Sequence, residues 1–305
     1  MGARAERVSV VITTYNRPDA LVLTLLGLLH QTVAPHEVLV ADDGSRPDTL
    51  AALQALPQAG IRWPWPLAHV WIPDQGFRAG TARNRGVQQA TGDRVLFLDG
   101  DCIARRRCIE GHLALAGRAA APVLVTGSRV LMSEGLTAHW LSTLAEGGAG
   151  VAATAITQLE QAWPSLRWRL GGQVNKLSHL AYVPGVAHPV AERFAWRRIK
   201  SANLSMPMHV LQQINGFDET FVGWGHEDAD VVLRAMQAGC RRVDGHWATE
   251  VLHLWHAERK AGEESANRQR VQARLDAAPG SLPPRAPLGL AEAVGDPSVV
   301  VTRLN

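Results

Sequence analysis

The stretch Arg94–Ile103, RVLFLDGDCI, decides the fold. Val95–Leu98 is an unbroken apolar run that leads straight into Asp99-Gly100-Asp101. A short run with no polar face reads as a strand buried in a sheet covered on both sides. It ends by aiming two carboxylates past the carboxyl end of that strand. Burying unpaired carboxylates costs several kcal/mol, so a cation is expected to meet them.

Working back toward the N-terminus, the same pattern recurs. Val8–Thr13, Glu37–Ala41 and His69–Ile72 read as strands. Between them, helical patterns run from Pro18 to about Gln31, over Asp48–Leu56 and over Gly80–Ala90. Pro18 stands in a first helical turn, where its missing N–H does no harm. Short apolar strands alternating with helices predict an α/β fold with a Rossmann-like, mostly parallel sheet flanked by helices. Polar loops follow these strands: TTYNR (13–17), DDGS (42–45) and DGDC (99–102). Ligands in such sheets sit beyond the carboxyl ends of the strands, so these loops predict a binding edge.

Residues 130–195 contain a small-residue run, AEGGAGVAATAIT, and a Trp- and Arg-rich run, WPSLRWRLGGQ. The first run reads as small and flexible, and the two predict an irregular excursion with one or two helices and room for a mobile loop. Order is expected to return at about Lys200, with a strand over IKSANLSMP, a short helix to Gln213 and a helix over Glu227–Gln237 that Gly239 stops. Residues 277–305 hold prolines and scattered small residues and predict a loosely packed tail after a single domain spanning 1–276.

Composition narrows the function. Lys and Arg number 31 against 28 Asp and Glu, a net charge of +3, too small an excess to argue for nucleic acid. Local basic clusters, Arg105-Arg106-Arg107 and Arg197-Arg198 with Lys200, suit phosphates or anionic lipid heads. There are three cysteines and no CxxC pair, which speaks against a disulfide scaffold or structural zinc and fits a reducing cytoplasm. No apolar run approaches the roughly 20 residues of a membrane span, so membrane contact is expected to be peripheral, at the inner face.

Three constellations carry chemistry. Asp99 and Asp101, separated by glycine, suit a hard divalent ion such as Mn²⁺ or Mg²⁺ with positions left for phosphate oxygens. In GWGHEDAD (223–230), Trp224 between two glycines offers a platform for a sugar's C–H face, and Glu227 and Asp228 open a helix. The helix dipole favours an ionised carboxylate there, as a general base requires. His253 and His256, in VLHLWHAE (251–258), are neutral ligands available to complete a metal site. The bland readings are a turn aspartate, helix-start acids and structural histidines.

Taken together, these residues resemble a known family. VSVVITTYNRPDAL, LLHQT and HEVLVADDGS, followed by DQGFRAGTARNRGVQQATGDRVLFLDGDCI, resemble family 2 glycosyltransferases of the GT-A fold. SANLSMP and INGFDETFVGWGHEDADVVLRAMQAG are similar to the C-terminal half shared by bacterial chondroitin-type polymerase domains and animal β-1,4-galactosyltransferases. The resemblance spans roughly residues 8–257. It implies a nucleotide-sugar-binding half (about 8–128) and an acceptor half (about 196–257). It also implies a UDP-sugar donor, a divalent ion, a glycan or lipid-linked glycan acceptor, and inversion at the anomeric carbon, in bacterial surface polysaccharide or lipopolysaccharide synthesis. By residue it implies that Thr14, Tyr15, Asp42, Asp43, Arg83 and Asp99 bind the donor. Asp101 with His256 or His253 holds the metal, Trp224 and Glu227 hold the acceptor, and Asp228 is the base. The chain departs from the pattern where Gly-Gly is usual before the Glu; here it reads Gly225-His226.

Other readings compete. A nucleotidyltransferase shares the sheet, ion and nucleotide but usually carries a Gly-rich, Lys-containing loop after its first strand, where this chain has TTYNRPD. The P-loop pattern GxxxxGK[ST] is absent. An inactive or purely sugar-binding relative would keep Trp224 and need no nucleotide site.

Overall fold

In the computed structural model, residues 6–180, 182–184, 190–191, 193–196, 199–257, 266–278, 280–292 and 294–305 are described. The first half alternates as expected: β1 (Val8–Thr14), α1 (Pro18–Leu28), β2 (Glu37–Asp42), α2 (Pro47–Ala55), β3 (Leu67–Trp71), α3 (Ala79–Gln89) and β4 (Arg94–Asp99). There follow β5 (Cys102–Ala104), α4 (Cys108–Ala116), β6 (Val123–Thr126), β7 (Arg129–Leu131), α5 (Glu134–Ile156), α6 (Ala162–Leu170) and β8 (Val190–Ala191). The chain continues through β9 (Asn203–Pro207), α7 (Met208–Ile214), α8 (Glu227–Gln237), β10 (Arg241–Asp244), β11 (Val251–His253), α9 (Ala266–Asp276) and β12 (Val300–Arg303).

The main sheet has the order β12-β3-β2-β1-β4-β9-β6-β10-β8, and a small sheet has the order β5-β11-β7. β3, β2, β1 and β4 are mutually parallel, whereas β9 runs antiparallel between β4 and β6. Alternate residues of each strand feed two cores. Val10, Ile12, Val38, Val40, Leu96 and Leu98 lie in one core with α1 and α5, and Val11, Leu39, Val95 and Phe97 lie in a second with α3, α7 and α8. That two-sided burial explains why the strands read as continuous apolar runs. Helix α3 lies so close to the sheet that a Cβ at Gly86 would stand 2.7 Å from Val11 Cγ1.

The structure differs from expectation in three places. The small-residue run is no flexible loop but most of α5, a 23-residue helix capped by Ser133, which accepts the N–H of Leu136, and kinked at Gly148. Ala149, Ala152 and Ile156 are buried in the core that also holds α1; small side chains here permit close helix packing. The expected loose tail is also corrected. Val300–Arg303 pairs antiparallel with β3, Leu304 N–H donates to Leu67 O, and Ala286 and Leu290 are buried. Finally, Arg105-Arg106-Arg107 is not an open basic patch. Arg105 is buried, and Arg107 pairs with Glu110 and stacks on Tyr182 at 3.6 Å. Arg197 and Arg198 lie outside the described residues.

Gly86→Ala is expected to destabilise the protein by about 1–3 kcal/mol through overpacking. Urea unfolding followed by circular dichroism reads this; an unchanged midpoint would show that α3 can move away from β1.

Candidate active site

The loops after β1, β2 and β4 gather at one edge of the sheet, where parallel register sets Thr14 beside Asp42 and Thr13 beside Asp99. Adjacent aspartates after β2 have opposite fates. Asp42 is fully buried, accepting Ser45 N–H at 2.7 Å and meeting His69 Nε2 at 2.7 Å. With both oxygens engaged, it builds the turn and sets the direction of Asp43 beside it. Asp43 accepts Arg78 N–H at 2.8 Å through Oδ2, while its Oδ1 is buried without a partner. Burial pushes its carboxyl up to about 6, so near neutral pH it is ionised, with one oxygen available to an N–H donor. Gly44 makes this turn possible: its φ is +91°, and a Cβ there would lie 2.5 Å from Asp74 Cα. Tyr15 stands half exposed above the turn and donates its hydroxyl to Asp74 at 2.9 Å. Thr14 is buried, with Oγ1 unpartnered.

The opening carboxylates meet arginines. Arg83, projecting from α3 and almost wholly buried, donates to Asp99 Oδ1 at 2.9 Å and to Glu227 Oε1 at 3.3 Å. The sequence placed Arg83 near the nucleotide. In the structure it is buried and ties the end of β4 to the start of α8. Asp99 keeps about a third of its side chain exposed. Arg17, which sequence reasoning left without a role, donates to Asp101 Oδ2 at 2.7 Å.

Asp101 also stands 3.5 Å from His256 Nε2 and 3.6 Å from His253 Nε2, and the two imidazoles are 5.2 Å apart. β11 brings the histidines here because His253 pairs with Cys102, the residue after Asp101. Burial lowers the His253 pKa, leaving a neutral ring with a lone pair. The Cys102 thiol is buried, and desolvation raises its pKa well above the ordinary range; its Sγ lies with Asp101 and His253 in a cluster whose ligand atoms are all within 4.8 Å of one another. One carboxylate and two imidazoles form a donor set that suits Mn²⁺ and tolerates other divalent ions; the residues fit the group.

Across the Arg83 bridge, α8 begins at His226, whose φ of +72° is left-handed. Glycine is the usual residue there; a histidine costs about 1 kcal/mol and sets its ring edge-on to Trp196 at 5.6 Å. Asp228 lines a pocket of about 200 Å³ with Trp196, Lys200, His226 and Arg268. Burial raises the pKa of Asp228, and Lys200 and Arg83 counter the shift. Burial and the neighbouring Asp228 likewise raise Glu227, whose Oε2 is buried with no partner. The helix dipole alone predicted an ordinary ionised acid; desolvation outweighs it. Trp224 is 45% exposed and stands outside that pocket, in a loop that Asn267 holds through the carbonyls of Val222 and Gly225. Trp196 and Lys200 were missed because their contacts with α8 leave no local signal.

Arg83→Met leaves two carboxylates unpaired and is expected to cost about 3 kcal/mol of stability, with Arg83→Lys intermediate. Chemical denaturation checks this; a loss below about 1 kcal/mol would mean that the bridge is dispensable.

Comparison with known proteins matches two separate stretches of the chain. Residues 9–149 match the family model described as Glycosyl transferase family 2, and residues 186–257 match the model described as N-terminal domain of galactosyltransferase. Validoxylamine A glucosyltransferase of Streptomyces hygroscopicus subsp. limoneus is 28% identical, over 80% of this chain and 51% of its own length. Chondroitin synthase of Pasteurella multocida is 27% identical, over 86% of this chain and 26% of its own. The chain therefore spans about half or less of these relatives. Among solved structures, a mannosyltransferase from Pyrobaculum calidifontis, in complex with GDP-Man and Mn²⁺, superposes with a TM-score of 0.50 at 16% identity, covering 83% of this chain and 58% of that one. These matches lead to one assignment: residues 9–149 belong with the family 2 glycosyltransferases, on a GT-A fold, and residues 186–257 form a galactosyltransferase-like segment.

Proposed function

We propose that the chain transfers a hexose or N-acetylhexosamine from a nucleotide sugar, a UDP-sugar in the first instance, to a glycan or lipid-linked glycan acceptor, with inversion and with a divalent cation. The product belongs to a surface polysaccharide or lipopolysaccharide. One observation carries the reading. A single buried arginine, Arg83, pairs with Asp99 and Glu227 and acts electrostatically on both Asp43, whose Oδ1 is unpartnered, and the buried Asp228.

The residues divide the work. Asp43 accepts an N–H of the base through its free oxygen, and Tyr15 and Thr14 border the base. Asp99 receives a ribose hydroxyl on its exposed side, and Arg17 offers a cation to the diphosphate. Asp101, His253 and His256 hold the divalent ion, which when bound neutralises charge on the leaving diphosphate. Glu227 takes an acceptor hydroxyl on Oε2, and Trp224 stacks on a sugar face beyond the pocket. Asp228 removes the proton of the attacking hydroxyl. As the new C–O bond forms at the anomeric carbon, the bond to the diphosphate oxygen breaks on the opposite face. A single displacement of this kind inverts configuration and needs no carboxylate nucleophile.

The base works only when ionised, and burial has raised its pKa. Transfer is therefore expected to fall as pH drops through a midpoint above the ordinary aspartate value of about 3.9. Asp228→Asn is expected to reduce transfer by roughly 10²–10⁴ while leaving UDP binding intact. A pH series of initial rates, with calorimetry on the variant, tests both. Wild-type turnover in Asp228→Asn would remove Asp228 from the base role.

A further inference from the structure

Helix α6 presents an arrangement that the transfer reaction does not use. Its sequence, AWPSLRWRL, has two arginines and no acid. At about 100° per residue, Leu166 and Leu170 lie about 40° apart, with Arg167 and Arg169 about 80° to either side of their midline. Trp168 is on the opposite side and packs edge-on against Trp140 of α5 at 6.4 Å. The outward face is therefore a leucine stripe with an arginine on each shoulder. Leu170 is 80% exposed and Leu166 39%, and both arginines are exposed. Single exposed leucines are ordinary. Two on one stripe between flanking arginines suit an interface where apolar tips enter and cationic heads stay in the polar layer.

The position matters as much as the composition. Just beyond α6, Gln173 O accepts Ser133 N–H, Val174 bridges Met132, and Asn175 N–H donates to Leu131 O. Met132 N–H in turn donates to His253 O, and the first turn of α5 reaches the histidine loop through Trp255 N–H and Thr137 Oγ1. Leu131 and Trp255, each 41% exposed, lie along this chain of contacts. No helix among the described residues is long and apolar enough to cross a membrane.

We propose that the outward face of α6 docks the protein on an anionic lipid bilayer, setting the edge that carries His253 and His256 toward acceptors held at that surface. The basic shoulders supply the charge complementarity. The use of this contact rests on the lipid-linked acceptor reading above; the contact itself does not.

The test is co-sedimentation of the full chain with vesicles, without donor or acceptor. Vesicles of phosphatidylcholine with phosphatidylglycerol are compared with phosphatidylcholine alone. Wild type is expected to bind only the anionic vesicles. Arg167→Gln with Arg169→Gln should weaken binding about ten-fold or more, as should Leu166→Ser with Leu170→Ser, with UDP binding and thermal midpoint unchanged in both pairs. Equal sedimentation of wild type and variants would overturn the proposal. So would wild type failing to bind vesicles, or a dimer in light scattering that the leucine variants dissolve, since a second copy would then cover the face. UDP binding is measured separately, so a failed vesicle assay leaves the transferase reading standing, and a protein that binds vesicles but no nucleotide does the reverse.

Discussion

The Arg83 guanidinium, almost wholly buried, holds Asp99 from β4 and Glu227 from α8 together. The rest of the site depends on this pairing. Without it, carboxylates from two distant parts of the chain repel one another in a desolvated edge. With it, the end of β4 and the start of α8 are held in one frame, while Asp99 still keeps an exposed side and Glu227 an unpartnered oxygen. The cation that the paired aspartates demand is thus supplied in part by the protein. Arg83 serves Asp99 and Arg17 serves Asp101.

Around this frame the structure carries local costs that coincide with the site. Asp43, Glu227 and Asp228 are all raised by burial, and His226 takes a left-handed backbone that favours glycine. Such costs gather where a pocket must present unpartnered acceptors. In the base role proposed for Asp228, desolvation has a use: a carboxylate with a raised pKa is a stronger base, and the positive charges of Lys200 and Arg83 limit the rise.

How much was legible follows from the range of each interaction. β1 to β4 were readable because two-sided burial writes a local apolar run. The edge loops were readable because acids stand at successive strand ends. Asp42 and Asp43 could not be told apart, since adjacent identical residues differ only in which way the strand end points them. The partner of Asp101 among the arginines lies 84 positions away, and nothing in NRPD announces it. The small residues of α5 read as flexible because propensity ignores the core they pack into. The tail did carry a signal: SVVVTRLN (298–305) is rich in β-branched residues, and proline content nearby outweighed it wrongly.

The central claim is that this edge binds a nucleoside diphosphate together with a divalent ion on Asp101. Calorimetric titration with UDP, with and without Mn²⁺, on wild type and Asp101→Ala, tests it most directly. The account predicts binding that Mn²⁺ strengthens in wild type and no longer strengthens in the variant. UDP binding that ignores Mn²⁺ in both proteins would contradict the metal site, and no binding of UDP, GDP, CMP or dTDP in any condition would contradict the nucleotide site itself.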